Sequence, residues 1–331
     1  MSAPFSINQA ADLVDLSIQK VFDKCAEVEN VYSKYFNVRT TSDYYEKDSS
    51  LSGLANADFV DENGIIYSDT PVQGYKKTYT QNMVGIIAPF TFQMWKFGIK
   101  KRDLDNVAYK LKKSIAQLKE QLCAERIDNA WSTSYTHNGA SGNKTMTISG
   151  GDAVAAASNA HTREDGGANM NNIVYDGTTY NLPLDYAGIK AAMRTAGLMV
   201  DPRGNPMIPD LNKLIVKKNS SNHFKAKEIL KAIKDGKIPE SNDNDGAGVG
   251  AFEIIPVSWL SNSNYWAMFD GSLMNDEAGF QFVESQAPTV DPVNVVYKTK
   301  EIQTSATTLF DLGFNDCARM WVFSKADSTT P

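Results

Sequence analysis

Three histidines, His137, His161 and His223, are the side chains of this 331-residue sequence best suited to proton transfer or metal ligation near neutral pH. All three fall in polar or loop-like contexts. None stands at ligand spacing from a carboxylate, and no His-Glu-Xaa-Xaa-His run occurs, so a surface or structural role is expected for each. Cys25, Cys123 and Cys317 are far apart and odd in number. Without a Cys-Xaa-Xaa-Cys pair they encode neither a disulfide framework nor a zinc ribbon, and buried, reduced thiols are expected. The serines lack a Gly-Xaa-Ser-Xaa-Gly elbow, and Gly139 to Lys144 lacks the spacing of a phosphate-cradling loop.

Two loop motifs come nearer to a known chemistry and fail on one position each. Ser241 to Glu253 carries Asp243, Asp245 and Gly246 in the manner of a calcium loop. The twelfth position, where a bidentate glutamate belongs, is Phe252, and Glu253 comes one residue late. Gly246-Ala247-Gly248-Val249-Gly250 has the spacing GxGxG before an expected strand, whereas a dinucleotide turn is GxGxxG opening a helix. Both read as a solvated, flexible loop. Asn143-Lys144-Thr145 and Asn219-Ser220-Ser221 match the glycosylation triplet, but Met1-Ser2-Ala3-Pro4-Phe5 opens no secretory signal, which removes its weight. No catalytic residue, cofactor or metal ligand is therefore assigned.

Composition points the same way. An apolar share of 42% with 22% charged residues is that of a folded globular chain. A net charge of -6 gives no global electrostatic footprint for nucleic acid. That disfavours a sequence-specific DNA reader and is compatible with a container that must not grip its contents. No apolar run approaches the roughly 18 residues of a membrane-spanning helix, and synthesis in a cytoplasm is expected.

The elements that would position any site follow from periodicity. Leu13, Leu16, Ile18, Val21, Phe22, Val28 and Val31 predict an amphipathic helical arm over residues 10–35. From Thr40 to Gly74 the chain is a long polar excursion, unusual inside a compact domain unless it has a function or partner. Tyr75 to Phe97 alternates with period two and predicts a second extended stretch, so residues 40–98 read as a two-stranded projecting arm. Its aromatic side chains need a surface to lie on, which makes Phe59, Tyr75, Tyr79, Phe90 and Phe92 the candidate contacts between subunits. Residues 101–135 hold no Gly or Pro and repeat Leu104, Val107, Leu111, Ile115, Leu118, Leu122, Ile127 and Trp131 at helical spacing. They predict one spine helix of about 50 Å packed on a C-terminal sheet. Residues 136–182 read as irregular, with one short helix near Ala153 to Ala157. Helices at Leu184–Val200 and Asn222–Ile233 and strands at Lys213–Val216, Phe252–Ile255 and Tyr265–Phe269 make a mixed α/β block. Phe280–Val283, Val293–Ile302, Ala306–Leu312 and Cys317–Phe323 are terminal strands.

This order, and above all Tyr75–Phe97 running directly into Lys101–Tyr135, resembles the major capsid proteins of tailed bacteriophages, the Hong Kong 97-type shell fold. Trp266-Ala267-Met268-Phe269-Asp270 and the ending Asp316-Cys317-Ala318-Arg319-Met320-Trp321-Val322-Phe323 fit it as well. The resemblance covers nearly the whole chain and rests on architecture. It implies an α+β fold divided into an N-terminal arm (1–38), an extended β-hairpin E-loop (39–98) and a P-domain (99–180) with its spine helix. An A-domain (181–278) and C-terminal strands returning to the P-domain (279–331) complete it. It further implies pentamers and hexamers of identical subunits, tiled into an icosahedral head around double-stranded DNA and assembled in a host cytoplasm. Portal and cement proteins are possible partners, and a scaffold would be a separate protein or absent. Some members of that family crosslink an E-loop lysine to a neighbour's asparagine. Lys76, Lys77 and Asn315 are the residues it would fall to here, nothing marks them, and non-covalent contact is expected. An encapsulin-type compartment, which shares the fold, and a soluble enzyme or carbohydrate-binding module built on the α/β block are the competing readings.

Overall fold

The computed structural model describes residues 30–327 apart from 52–53, 55–56, 61–63, 72, 92, 94–100, 165, 202, 236–249, 276–278, 292–293, 297, 300 and 317–318. Most of the expected N-terminal helix, Phe92, Cys25, Cys317 and most of the two loop motifs lie outside the described residues.

The strands are β1 (Asn37–Thr40), β2 (Tyr45–Leu51), β3 (Gln73–Thr80), β4 (Asn82–Thr91), β5 (Ser134–Gly139), β6 (Gly142–Thr147), β7 (Lys213–Lys217), β8 (Glu253–Val257), β9 (Trp266–Phe269), β10 (Phe280–Val290), β11 (Asn294–Val296), β12 (Glu301–Phe314) and β13 (Trp321–Ser324). The helices are α1 (Lys101–Asp128), α2 (Tyr186–Ala196) and α3 (Ser221–Lys234).

The spine helix α1 packs on β12 and β4, as its apolar stripe requires. Leu111 and Ile115 are buried along it, and Leu122, Cys123 and Ile127 share one core with Phe280, Phe282, Phe310, Leu312 and Phe314 of the sheet. It ends seven residues short of expectation, at about 42 Å. The local spacing of Ile127 and Trp131 still fits a helix, but tertiary contacts end it. Asp128 accepts from the Ser261 backbone N–H at 2.6 Å, and Asn129 Nδ2 turns back to donate to the Glu125 carbonyl at 2.8 Å. Trp131 then packs on Tyr265 (ring centroids 4.8 Å apart) instead of on another helical turn.

The larger sheet has the order β1-β10-β12-β11, with β4 also on β12. β4 pairs antiparallel with β12 from Asn82↔Phe310 to Thr91↔Glu301. This corrects the expectation of one arm strand over Tyr75–Phe97. The chain bends at Gln81, whose N–H donates to the Tyr44 carbonyl (3.1 Å), and only β3 pairs with β2 to make the arm. The smaller sheet, β13-β9-β7-β8, carries α2 and α3. Its core is Leu184, Ile189, Leu214, Val216, Trp266, Met268 and Val322. Three further corrections concern connections. Residues 134–147 form the β5–β6 hairpin in a stretch expected to be irregular. Ala153 has φ 62°, a left-handed residue that excludes the short helix expected there. Val293–Ile302, expected as one strand, is split between β11 and the start of β12. Within 279–331 the last strand, β13, pairs with β9 and so joins the smaller sheet.

Candidate functional site

The β2–β3 arm is tied to the body by groups from five separate parts of the chain. Arg39 on β1 donates through Nη2 to Asp48 Oδ2 at 2.7 Å, pairs with Glu46 at 3.4 Å, and stands 6.0 Å from the Tyr79 ring centroid. Tyr79 is fully buried, and a Cβ at Gly313 would fall 2.8 Å from its ring, so β12 needs a glycine there for the two to approach. Asp311 on β12 accepts from the Thr80 N–H (2.9 Å) and from Asn82 Nδ2 (3.3 Å), and burial pushes its carboxyl up. Lys77 donates to the Ser149 carbonyl at 2.5 Å. Burial, reinforced by the nearby Arg126 charge, pushes its ammonium down.

Farther along, Tyr75 Oη and Thr162 Oγ1 share a hydrogen bond of 2.7 Å, and Asn315 Nδ2 donates to the Tyr75 carbonyl at 3.0 Å. Arg203 pairs with Asp69 at 3.0 Å and donates to the Thr70 carbonyl at 2.8 Å. The outer part of the arm has the opposite character. Phe59 is 100% accessible and Ile65 96%, with Leu54, Ile66 and Tyr67 also exposed.

The five expected contact residues are therefore not one surface. Phe59 is at the exposed tip. Tyr75 is half-buried, and Tyr79, expected to be exposed, belongs to the subunit's own core because its ring lies against Gly313 of β12. Phe90 is half-buried on β4 opposite Ile302, and Phe92 is outside the described residues. Of the three residues named for a crosslink, Lys77 and Asn315 make their described bonds within the subunit, and Lys76 is exposed on β3. Ile65-Ile66-Tyr67 was missed and was legible, since three consecutive large apolar residues interrupt a polar excursion. Arg203 was missed and left no signal, because its partners are 133 or more positions away.

Two of the histidines find carboxylates through the fold and not through sequence spacing. His137 Nδ1 lies 2.8 Å from Glu125 Oε2, and buried His161 Nδ1 lies 2.8 Å from Asp152 Oδ2. His223 sits at the first turn of α3, where its N–H donates to the capping Ser220 hydroxyl at 3.2 Å. Cys123 is buried in the core and its thiol is pushed well up by that burial. Among the described residues no three His, Cys, Asp or Glu side chains converge to hold a metal, and no helix is long and apolar enough to cross a membrane.

No protein-family model and no curated protein matches the sequence. Solved structures do match the fold. The capsid of Ralstonia phage GP4 superposes with a TM-score of 0.53 at 10% identity, covering 92% of this chain and 93% of that one. The capsid of an empty GTA particle gives 0.52 at 8% identity over 90% and 91%. A chain of Mycobacterium phage Cain gives 0.50 at 12% identity over 99% and 100%. The α+β architecture described above is thus one shared, nearly end to end, with capsid structures of bacteriophages.

Proposed function

From that shared fold we propose that the chain is the major capsid protein of a tailed bacteriophage, a structural subunit without catalytic activity. The observation that supports the reading is the end-to-end likeness of the fold to the capsid of Ralstonia phage GP4. In this reading residues 1–38 are the N-terminal arm, 39–98 the E-loop, 99–180 the P-domain, 181–278 the A-domain and 279–331 the returning strands. Identical subunits form pentamers and hexamers and close an icosahedral head around double-stranded DNA in the host cytoplasm, with scaffold, portal or cement proteins as further partners. The net charge of -6 supports a wall that does not hold its DNA tightly. The exposed arm tip supports assembly by repeated, modest interfaces, since such apolar surface is stabilised only when a neighbour covers it.

Expression of the chain alone, followed by electron microscopy and sizing, tests the reading. Closed shells or ring-shaped capsomers are expected. A monodisperse monomer at high concentration would refute it.

A further inference from the structure

Charge is segregated onto one layer of the molecule. Helices α2 and α3 lie on the same face of the smaller sheet: Ile189 and Ala192 of the first and Ala226 and Ile229 of the second share one core with Leu214, Val216 and Met268. The spine helix ends on the opposite face, where Ile127 shares a core with Ile215 and Ala267. The two helices α2 and α3 carry Lys190, Arg194, Lys225, Lys227, Lys231 and Lys234 against Glu228 alone. That is a charge of +5 in a chain that totals -6, which leaves -11 elsewhere. All six cations are exposed.

Their arrangement is broad. α3 packs on β7 and β8 and α2 on β13, so across β9 the two helix axes stand about 12 Å apart. Lys225 to Lys234 extends about 14 Å along α3. Lys227, Lys231 and Lys234 share a face at i, i+4 and i+7, a spacing at which like charges repel and an anionic partner relieves the repulsion. Among the described residues none of the four α3 lysines is paired with a carboxylate. On α2, Arg194 Nη1 donates to the Asp176 carbonyl at 2.5 Å, and Lys190 Nζ stands 5.0 Å from the Tyr186 ring centroid. Asp176 beside Arg194, Asp185 at the start of α2 and Asp235 at the end of α3 mark the acidic edges of the layer.

Resting on the shell reading above for the identity of the partner, we propose that this layer binds the phosphate backbone of the enclosed double-stranded DNA. About 14 Å of duplex carries roughly eight phosphates, enough to meet six cations spread over two neighbouring helices. An acidic peptide presents a single row of carboxylates, which could follow α3 but not cover α2 as well. Lysines act here as point charges on phosphate and read no base edges, so the contact is independent of DNA sequence. The acidity of the remaining surface confines the contact to this layer, and a wall that holds its DNA loosely still has one defined place to touch it.

Fluorescence anisotropy of a labelled duplex with the unassembled full chain tests this, alongside electron microscopy of the same preparation. Binding is expected, with a log–log slope against salt of about -4 to -5. Lys227→Glu with Lys231→Glu should weaken it by about tenfold or more and flatten that slope. Lys110→Glu with Lys113→Glu, an equal change of net charge at exposed positions of the spine helix, should leave affinity within about twofold. Lys227→Gln with Lys231→Gln covers the case in which charge reversal perturbs α3, with an expected loss of about threefold or more. No binding by the unaltered chain, or an equal loss for the α3 and spine-helix pairs, overturns the proposal. So does polyglutamate that competes better than unlabelled duplex at equal charge, which would assign the layer to an acidic protein. Particles without duplex binding overturn the DNA surface and leave the shell reading intact. Duplex binding through this layer without particles upholds the surface and overturns the shell reading.

Discussion

At its root the β2–β3 hairpin belongs to the interior of the subunit: Tyr79 is sealed against Gly313, and Asp311, Asn315 and Arg39 satisfy the surrounding backbone and charges. At its tip the same hairpin presents Phe59 and Ile65 to water. Fully burying side chains of this size is worth about 1.5–3 kcal/mol each, and the monomer leaves that stabilisation unrealised. Folding and assembly are thereby separated along one element. Substitutions in the body and at the root should act on subunit stability, and those at the tip on association alone.

The largest effect is expected beneath the spine helix. Phe282 is fully buried and stacks on Phe310 (5.1 Å) and Tyr32 (4.8 Å). Phe282→Ala should cost about 3–5 kcal/mol in denaturant unfolding; a loss under 1 kcal/mol would mean that this layer is not core.

Next comes the buried pair of Lys119 with Glu284, the ammonium also standing 5.6 Å from the Phe282 and Phe310 rings. Lys119→Met alone should cost roughly 3 kcal/mol by stranding Glu284, and Lys119→Met with Glu284→Leu should recover most of it. A double-mutant cycle without such recovery would assign the loss to packing.

Arg203→Ala removes a partly exposed brace and should cost the subunit under about 1 kcal/mol. It should nevertheless lower particle yield, because the arm then loses its fixed direction. Equal losses in stability and assembly would contradict a positioning role.

A pH series sharpens the account of the root. Burial raises the carboxyls of Asp311 at the root and of Glu120 on the spine helix, which accepts from the Tyr32 N–H, so the folded state binds their protons more tightly than the unfolded chain does. Their contribution is therefore fully present at low pH and is lost as pH rises from about 4 through the raised values. Asp311→Asn should flatten the fall of the urea midpoint over that range; an unchanged slope would place the titration elsewhere. Smallest of all in the monomer is Phe59→Ser, expected within about 0.5 kcal/mol of wild type, together with loss of closed particles. A stability loss of several kcal/mol there would erase the contrast between root and tip.

By itself the sequence determined whatever depends on local periodicity. The stripe Leu111, Ile115, Leu122 and Ile127 specifies a helix and the face it buries. Apolar runs mark β7, β9 and β13, and the polar excursion before Tyr75 marks an arm, with Phe59 exposed on it. Only the tertiary structure decided which partner each element takes. Period two declares Asn82–Thr91 a strand but not that it pairs with β12 instead of prolonging the arm. The same alternation could not tell that Tyr79 faces inward and Phe59 outward. Ser134–Thr147 carries too little apolar patterning to announce its hairpin. The helix ends at Asp128 because Ser261 and Tyr265, more than 130 residues away, take up the groups that another turn would have used. Arg203 reaches Asp69, and Trp259 joins Gln121 in lining one groove, only once the chain has closed over comparable distances. Backbone pairing and side-chain contacts at such separations depend on three-dimensional proximity, which a local pattern does not encode.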